Sequence, residues 1–357
     1  MKQLIAVEDW VGETRAAIIE DGQIVELHVE RWSELGQRAF AGERYRGRVR
    51  KIDGGLNAAF VDLGRGEPGF LPFGKSGRPE GLHEGAAIGV RVVREAFAEK
   101  GPTLARLSEA GEGSTPALLD EGTNLAERLL HRYPDADVVW ADEAGLDIAP
   151  AIETALSADI AVPGGGRLSI EPTRALTAID IDSAGRKVNA GRKLALDQNL
   201  AAMPEIARQI RLRGIGGNIV IDCLHLRSQP DRRAVEGSLK RALKRDPARI
   251  DVLSISRFGL LELVRQRTGR SLAELLNAGE RSMSTETLAL AALRRLQIEA
   301  TNQRASKLNL TTGKAVYEWL DLESVNWREA MTDRIGPRYQ LSLNEAADRD
   351  FVEVSKV

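Results

Sequence analysis

The sequence predicts a multidomain α/β protein, and three observations carry that expectation. Its 357 residues suffice for two or three domains of about 150 residues each. Residues 42–97 hold short strands separated by glycines, the pattern of a small barrel. Beyond residue 164, strands alternate with helices as in a βαβ-like mixed domain.

Residues 1–40 read as short strands, QLIAV and then TRAAIIEDGQIVELHVE, with Asp21-Gly22 as the turn of a hairpin. RYRGRVRKID, LNAAFVDLG, PGFLPF and IGVRVVREAF are the barrel strands. The Gly-, Pro- and Ser-rich stretch 101–116 reads as an exit linker. LLDEGTNLAERLLHRY and IAPAIETALSA then read as helices on either side of a strand, DVVWADE. After the Gly164-Gly165-Gly166 break come strands RLSIE and LTAIDIDS, a helix ending RQIRLR with Gly214 as its C-cap, and strand NIVIDCL. A helix from Asp231, a good N-cap, runs to about Arg245 and leads to a strand DVLSIS. The helix TLALAALRRLQIEATNQ and further fragments complete the chain.

The formal charge of −2 hides an asymmetry. Residues 108–160 hold twelve acids against Arg128 and Arg132, whereas residues 205–270 hold fifteen Lys and Arg against seven acids. A local basic surplus of this kind suggests a nucleic-acid surface. Cys223 is the single cysteine, which excludes an internal disulfide and a multi-cysteine metal site. The four histidines show no H-E-x-x-H spacing, and Leu310-Thr311-Thr312-Gly313-Lys314 lacks the first glycine of a P-loop. Acids at Glu8, Asp9 and Glu13 interrupt any signal-peptide core, and no run of 18 apolar residues occurs, so a cytoplasmic protein without a membrane span is expected.

The acids offer chemistry. Asp180 and Asp182 lie two apart on one strand face, and Asp222 ends the apolar run Ile219-Val220-Ile221. Three carboxylates gathered at one strand-end crevice would repel by roughly 4 kcal/mol per pair at 4 Å and an effective dielectric near 20. A hard cation such as Mg²⁺ removes that conflict. Capping and turn-forming aspartates would give the same spacing. Basic residues surround the segment: Arg233, Lys240 and Lys244 face outward from a helix whose inner face is Val235, Leu239 and Leu243, and Arg249 follows. In the barrel, Arg44, Arg46 and Arg48 share a face, while Phe60, Phe70 and Phe73 cluster although only 16 residues of the chain are aromatic. Basic residues beside exposed rings form a platform for single-stranded nucleic acid, and rings turned inward would fill the barrel instead.

Three blocks, LTAIDIDSA, NLAAMPEIARQIRLRGIGGNIVID and ISRFGLLELVRQR, together with Glu43–Val49, Ala58–Gly64 and Gly69–Pro72, make the chain resemble bacterial ribonucleases of the E/G family over most of its length. The resemblance implies an RNase H-like subdomain (1–40 and 116–163), an inserted OB-fold RNA-binding domain (41–107), a DNase I-like catalytic domain (164–281) and a small C-terminal α/β domain (282–357). It implies that Asp180 and Asp222 hold Mg²⁺; beside them, Asp182 is expected to assist the metal or orient water. Phe60 and Phe70 would grip a base, Lys100 and Arg249 would contact RNA, and Asn199 would support the site. The implied reaction is internal hydrolysis of single-stranded RNA to 5′-phosphate and 3′-hydroxyl ends, in RNA processing, including that of rRNA, or in decay.

Four departures qualify this. The stretch between Leu107 and Gly164 is short and lacks a V-V-R-T-A-G block, which removes the family's 5′-end sensor. NAGERSMS replaces a Cys-Pro-x-Cys zinc link, so no structural zinc and no zinc-linked oligomer are expected, only a monomer or dimer. Asp182 stands where the family has Asn, and His225 where it has Asp. The alternatives are a non-catalytic RNA-binding protein of the same fold and a phosphoesterase acting on DNA or small phosphates.

Overall fold

The computed structural model describes residues 3–97, 100–119, 124–163, 165–183, 191–278 and 282–357. Gly164 and residues 279–281 of NAGERSMS lie outside them. The chain opens with β1 (Gln3–Trp10), β2 (Glu13–Glu20) and β3 (Gln23–Arg31). Asp21 and Gly22, at φ 51° and 80°, form the tight turn between β2 and β3, because two left-handed residues match the twist of a hairpin.

A closed five-stranded barrel follows: β4 (Arg44–Asp53), β5 (Ala58–Asp62), β6 (Gly69–Pro72), β7 (Ala87–Arg94) and β8 (Thr103–Arg106). The order is β5-β6-β8-β7-β4, with β4 paired back to β5 and β9 (Ala117–Leu118) added beside β4. The exit-linker reading of 101–116 is therefore corrected, since β8 closes the barrel between β6 and β7. Gly101 is there for a close approach rather than for flexibility: a Cβ would come within 2.0 Å of the Pro68 carbonyl oxygen. Tyr45, Val49, Val61, Leu71, Val90 and Leu104 fill the interior.

After α1 (Leu125–Arg132), β10 (Asp137–Trp140) pairs beside β1, giving a four-stranded sheet β10-β1-β2-β3. The barrel is thus inserted between strands of a single sheet. Then come α2 (Ala149–Leu156), β11 (Asp159–Ala161), β12 (Arg167–Pro172), β13 (Leu176–Asp182), α3 (Gly191–Leu212), β14 (Gly217–Asp222), α4 (Gln229–Leu243), β15 (Ile250–Val252) and β16 (Leu260–Arg265). Their strands form one sheet in the order β11-β12-β13-β14-β16-β15. Ile179 and Ile181 of β13 and Ile219 and Ile221 of β14 are buried with Met203, Ile206 and Ile210 of α3 and with Val235 and Leu239 of α4. With period-2 alternation, the acids of those strands fall on the other, uncovered face.

Three local expectations change. Ser228, not Asp231, caps α4, its hydroxyl accepting from the Asp231 N–H at 3.2 Å, with Pro230 in the first turn. The strand expected over DVLSIS shortens to the edge strand β15, and ISRFGLLELVRQR supplies the interior strand β16 between β14 and β15. The basic surplus of 205–270 is partly internal. Arg265 is buried against Asp246 at 2.7 Å, and Arg211 against Glu20 and Glu26 at 2.7 Å each. Gly214 does close α3, at φ 65°, with its N–H on the Arg211 carbonyl and the Ile215 N–H on that of Ile210.

The chain ends with α5 (Leu272–Leu276), α6 (Thr285–Asn302), β17 (Leu308–Gly313), α7 (Lys314–Asp321), α8 (Trp327–Ile335), β18 (Tyr339–Asn344) and β19 (Val352–Lys356), with a sheet β18-β17-β19. Leu293, Leu296, Trp327 and Met331 are central to its core. Two compact units result, one of Met1–Ala6, Ala17–Leu27 and Ala39–Leu272, the other of Val7–Ala16, His28–Arg38 and Ala273–Val357. Barrel and six-stranded α/β sheet belong to the first. No helix among the described residues is long and apolar enough to cross a membrane.

Candidate active site

β13 and β14 run parallel, with Asp180 directly beside Asp222. Both are exposed, whereas Ile179 and Ile221, one residue earlier in each strand, are buried. Sequence alternation puts each acid on the open face, and parallel register brings the two together. The charges conflict as expected. Partial burial, then the charges of Asp222 and Asp182, hold the Asp180 carboxyl above the ordinary carboxylate range. A bound cation would relieve that repulsion, and two adjacent carboxylates suit a hard ion that keeps most of its waters.

Asp182, whose charge also reaches Asp180, has an arginine partner of its own. Its carboxylate accepts from the Arg167 guanidinium at 3.3 Å across the β12–β13 pair, in which Arg167 is its register partner. Among the described residues no group of three His, Cys, Asp or Glu is placed to hold a metal ion. The three-carboxylate crevice expected from sequence is thus a pair plus a neighbour held by arginine. The sequence does not reveal Arg167, because an antiparallel partner leaves no local mark in it. Cys223 follows Asp222 but is buried, and burial, with the Asp222 charge second, pushes its thiol up to about 12. It is a packing residue rather than a nucleophile.

Asn199, fully buried on α3, holds the loop after β14. Its amide donates to the Leu224 carbonyl at 2.8 Å, and its side-chain oxygen accepts from the Leu224 N–H at 3.1 Å. Asn199 is a positioning residue, because it fixes the backbone two residues past Asp222. Asn199→Ala is expected to cost about 1–3 kcal/mol by leaving buried backbone groups without partners. Thermal melts would measure this cost. His225, in the same loop, is exposed.

On the barrel, Phe60 and Phe70 are register partners on β5 and β6, their rings 5.9 Å apart in an edge-to-face pair. Both are half-buried and outside the barrel core, whereas Phe73 packs against that core. Their row continues to Lys51 on one side and to Thr103 on the other, and the Arg94 guanidinium donates to the Thr103 hydroxyl at 2.9 Å. Lys100 is exposed just ahead of Pro102, whose carbonyl accepts from the Phe70 N–H at 2.7 Å.

The basic candidates separate. Arg44 and Arg48 are exposed on β4, but Arg46 donates to the carbonyls of Glu112 and Thr115 and so holds the chain beyond β8. Arg249 is 78% exposed, with Asp251 at 3.4 Å. It precedes Ile250, which pairs with Arg265, itself opposite Gly217 at the start of β14. That is the end of the sheet away from Asp222, roughly 16 Å along the strand at 3.3 Å per residue. Arg249 is therefore not brought to the carboxylate pair.

A profile of the Ribonuclease E/G family matches residues 74–268. Ribonuclease E of Escherichia coli (strain K12) is 41% identical over 222 residues, covering 59% of this chain and 21% of that protein. Ribonuclease E of Haemophilus influenzae is 34% identical over 223 residues, covering 59% of this chain and 23% of that protein. That of Buchnera aphidicola subsp. Acyrthosiphon pisum is 25% identical, with 85% of this chain and 48% of the relative aligned. The alignments span less than half the length of each of these relatives. With a family match over more than half of its residues, across the segment that carries the Asp180–Asp222 pair, the chain belongs to the Ribonuclease E/G family.

Proposed function

We propose that this chain is an endoribonuclease that hydrolyses phosphodiester bonds within single-stranded RNA, in RNA processing or decay, leaving 5′-phosphate and 3′-hydroxyl ends. The observation that carries the reading is the in-register Asp180–Asp222 pair on the uncovered sheet face, in a chain whose relatives are named ribonucleases. Asp180 and Asp222 would hold Mg²⁺, whose donor set of two hard oxygens beside open solvent fits that ion. When bound, it supplies an activated water and charge compensation at phosphate.

The chain's own residues do the rest. Asn199 keeps the Asp222 loop in place, and Arg167 keeps Asp182 beside the pair, where its charge adds to the demand for a cation. Phe60 and Phe70 stack a base, and Lys51, which also pairs with Asp53, and Arg94 flank the ring row to receive phosphates, with Lys100 exposed ahead of β8. We read the barrel as the OB-type RNA-binding part, inserted into an RNase H-like sheet, and the six-stranded sheet with α3 and α4 as the DNase I-like catalytic part. Residues 282–357 would be the small C-terminal domain.

The barrel reading is tested by binding. Phe60→Ala with Phe70→Ala is expected to weaken binding of a short single-stranded RNA by about 1–3 kcal/mol for the stacked base, and to lower the melting temperature modestly because the half-buried rings lose their mutual contact. Equal affinity for wild type and double variant in fluorescence anisotropy would refute the role given to the rings. Labelling the new ends of the cleaved RNA, with and without phosphatase treatment, tests the assigned product chemistry.

A further inference from the structure

At the Asp222 end of the sheet lies a turn that the role of the barrel does not use. Phe258 is 82% exposed, the most exposed large apolar side chain among the described residues. At that exposure the ring offers a whole face to a partner. The turn presenting it is tightly built. The Ser256 hydroxyl accepts from the Phe258 and Leu260 N–H groups, each at 3.3 Å, and the Gly259 N–H donates to the Ser256 carbonyl at 3.1 Å. Gly259 has φ 95°, a conformation that favours glycine, and its carbonyl accepts from the Cys223 N–H at 3.3 Å. Leu260, two residues past Phe258, is the register partner of Asp222. The turn is therefore tied by backbone to the strand end that carries the acid. The Arg257 guanidinium carbon lies 6.0 Å from the centre of the Phe258 ring, so a planar cation and an aromatic face stand together.

We propose that Phe258, with Arg257 beside it, is a stacking platform for one unpaired nucleobase of RNA, next to the phosphodiester positioned at Asp222. Rings accept bases of any identity through their π faces, and a neighbouring arginine adds charge for the phosphate. The platform would bind the nucleotide on the carboxylate side of the site, separately from the barrel rings Phe60 and Phe70. This inference rests on the RNA-cleaving reading given above.

The test is anisotropy of a labelled single-stranded oligoribonucleotide in EDTA, where binding is read without cleavage. Phe258→Ala is expected to weaken binding by about 5- to 150-fold, Phe258→Tyr to restore most of it, and Phe258→Leu to restore little. Melting temperatures should stay unchanged, because the side chain is exposed. An oligomer carrying a single abasic position, scanned along its length, should at one position abolish the difference between wild type and Phe258→Ala. Equal binding by wild type and Phe258→Ala, or full rescue by Phe258→Leu, overturns the platform while leaving the RNA reading intact. Absence of RNA binding by wild type overturns both.

Discussion

Asp222→Asn is expected to leave a folded protein that no longer cuts RNA at a useful rate. Losing one of two carboxylates for a catalytic cation removes several kcal/mol of transition-state stabilisation, or about 10²- to 10⁴-fold in rate at 1.36 kcal/mol per decade. The fold should not suffer, since Asp222 is exposed at the end of β14 while the buried Ile221 and Cys223 remain. In EDTA the variant should be at least as stable as wild type near neutral pH. The sign follows from Asp180, whose carboxyl in the folded protein is raised by partial burial and by the Asp222 and Asp182 charges. A raised folded value favours the folded state in acid, and that advantage is lost as pH rises through it. Removing the Asp222 charge removes part of the loss. Mg²⁺ should raise the melting temperature of wild type but not of the variant, because only a ligand of the folded state stabilises it. Lower stability of the variant in EDTA would show that Asp222 has structural partners and would contradict the account of the pair.

Arg211→Ala should produce the largest loss of stability. Its guanidinium is buried on α3, donating to Glu26 and Glu20 at 2.7 Å each and to the Tyr133 hydroxyl at 3.4 Å, and Tyr133 in turn donates to Glu26. Burial alone would lower the arginine's affinity for its proton, but the hydrogen bonds and charges of the two glutamates outweigh this and raise it. Truncation removes the buried cation between two buried carboxylates, leaving Glu20 with Gln3 at 3.0 Å and Glu26 with Tyr133 and, at 3.7 Å, Arg132, which costs about 3–5 kcal/mol. At 2–4 °C per kcal/mol for a unit of this size, the melting temperature should fall by about 6–20 °C. A shift under about 2 °C would mean that the cluster is solvated in practice.

The strands that carry the Asp180–Asp222 pair were legible because alternation is local. LTAIDID and NIVID place isoleucines inward and acids outward whatever the partners. Which acids meet depends on strand register, so Asp180 and Asp222 stand side by side while Asp182, next to them, pairs with Arg167. Phe60 and Phe70 were legible as a pair of rings in a barrel, but their edge-to-face contact again rests on pairing. β8 was hidden under glycine and proline that serve close packing. The charge sum over 205–270 overstated the free basic surface, because a sum cannot distinguish Arg265, buried against Asp246, from an exposed Lys240. Arg249 and Phe258, nine residues apart in sequence, lie toward opposite ends of the sheet, and only the β15–β16 register distinguishes them.

The central claim is that an Asp180–Asp222 metal site cuts RNA internally. Its most direct test is a time course on single-stranded RNA labelled in its interior, with EDTA-stripped protein to which Mg²⁺ is returned. The account predicts discrete internal products from wild type that appear only with Mg²⁺ and are absent with Asp222→Asn. Equal cleavage by the two proteins, or by wild type with and without the metal, would contradict it, as would tight RNA binding by wild type with no Mg²⁺-dependent product.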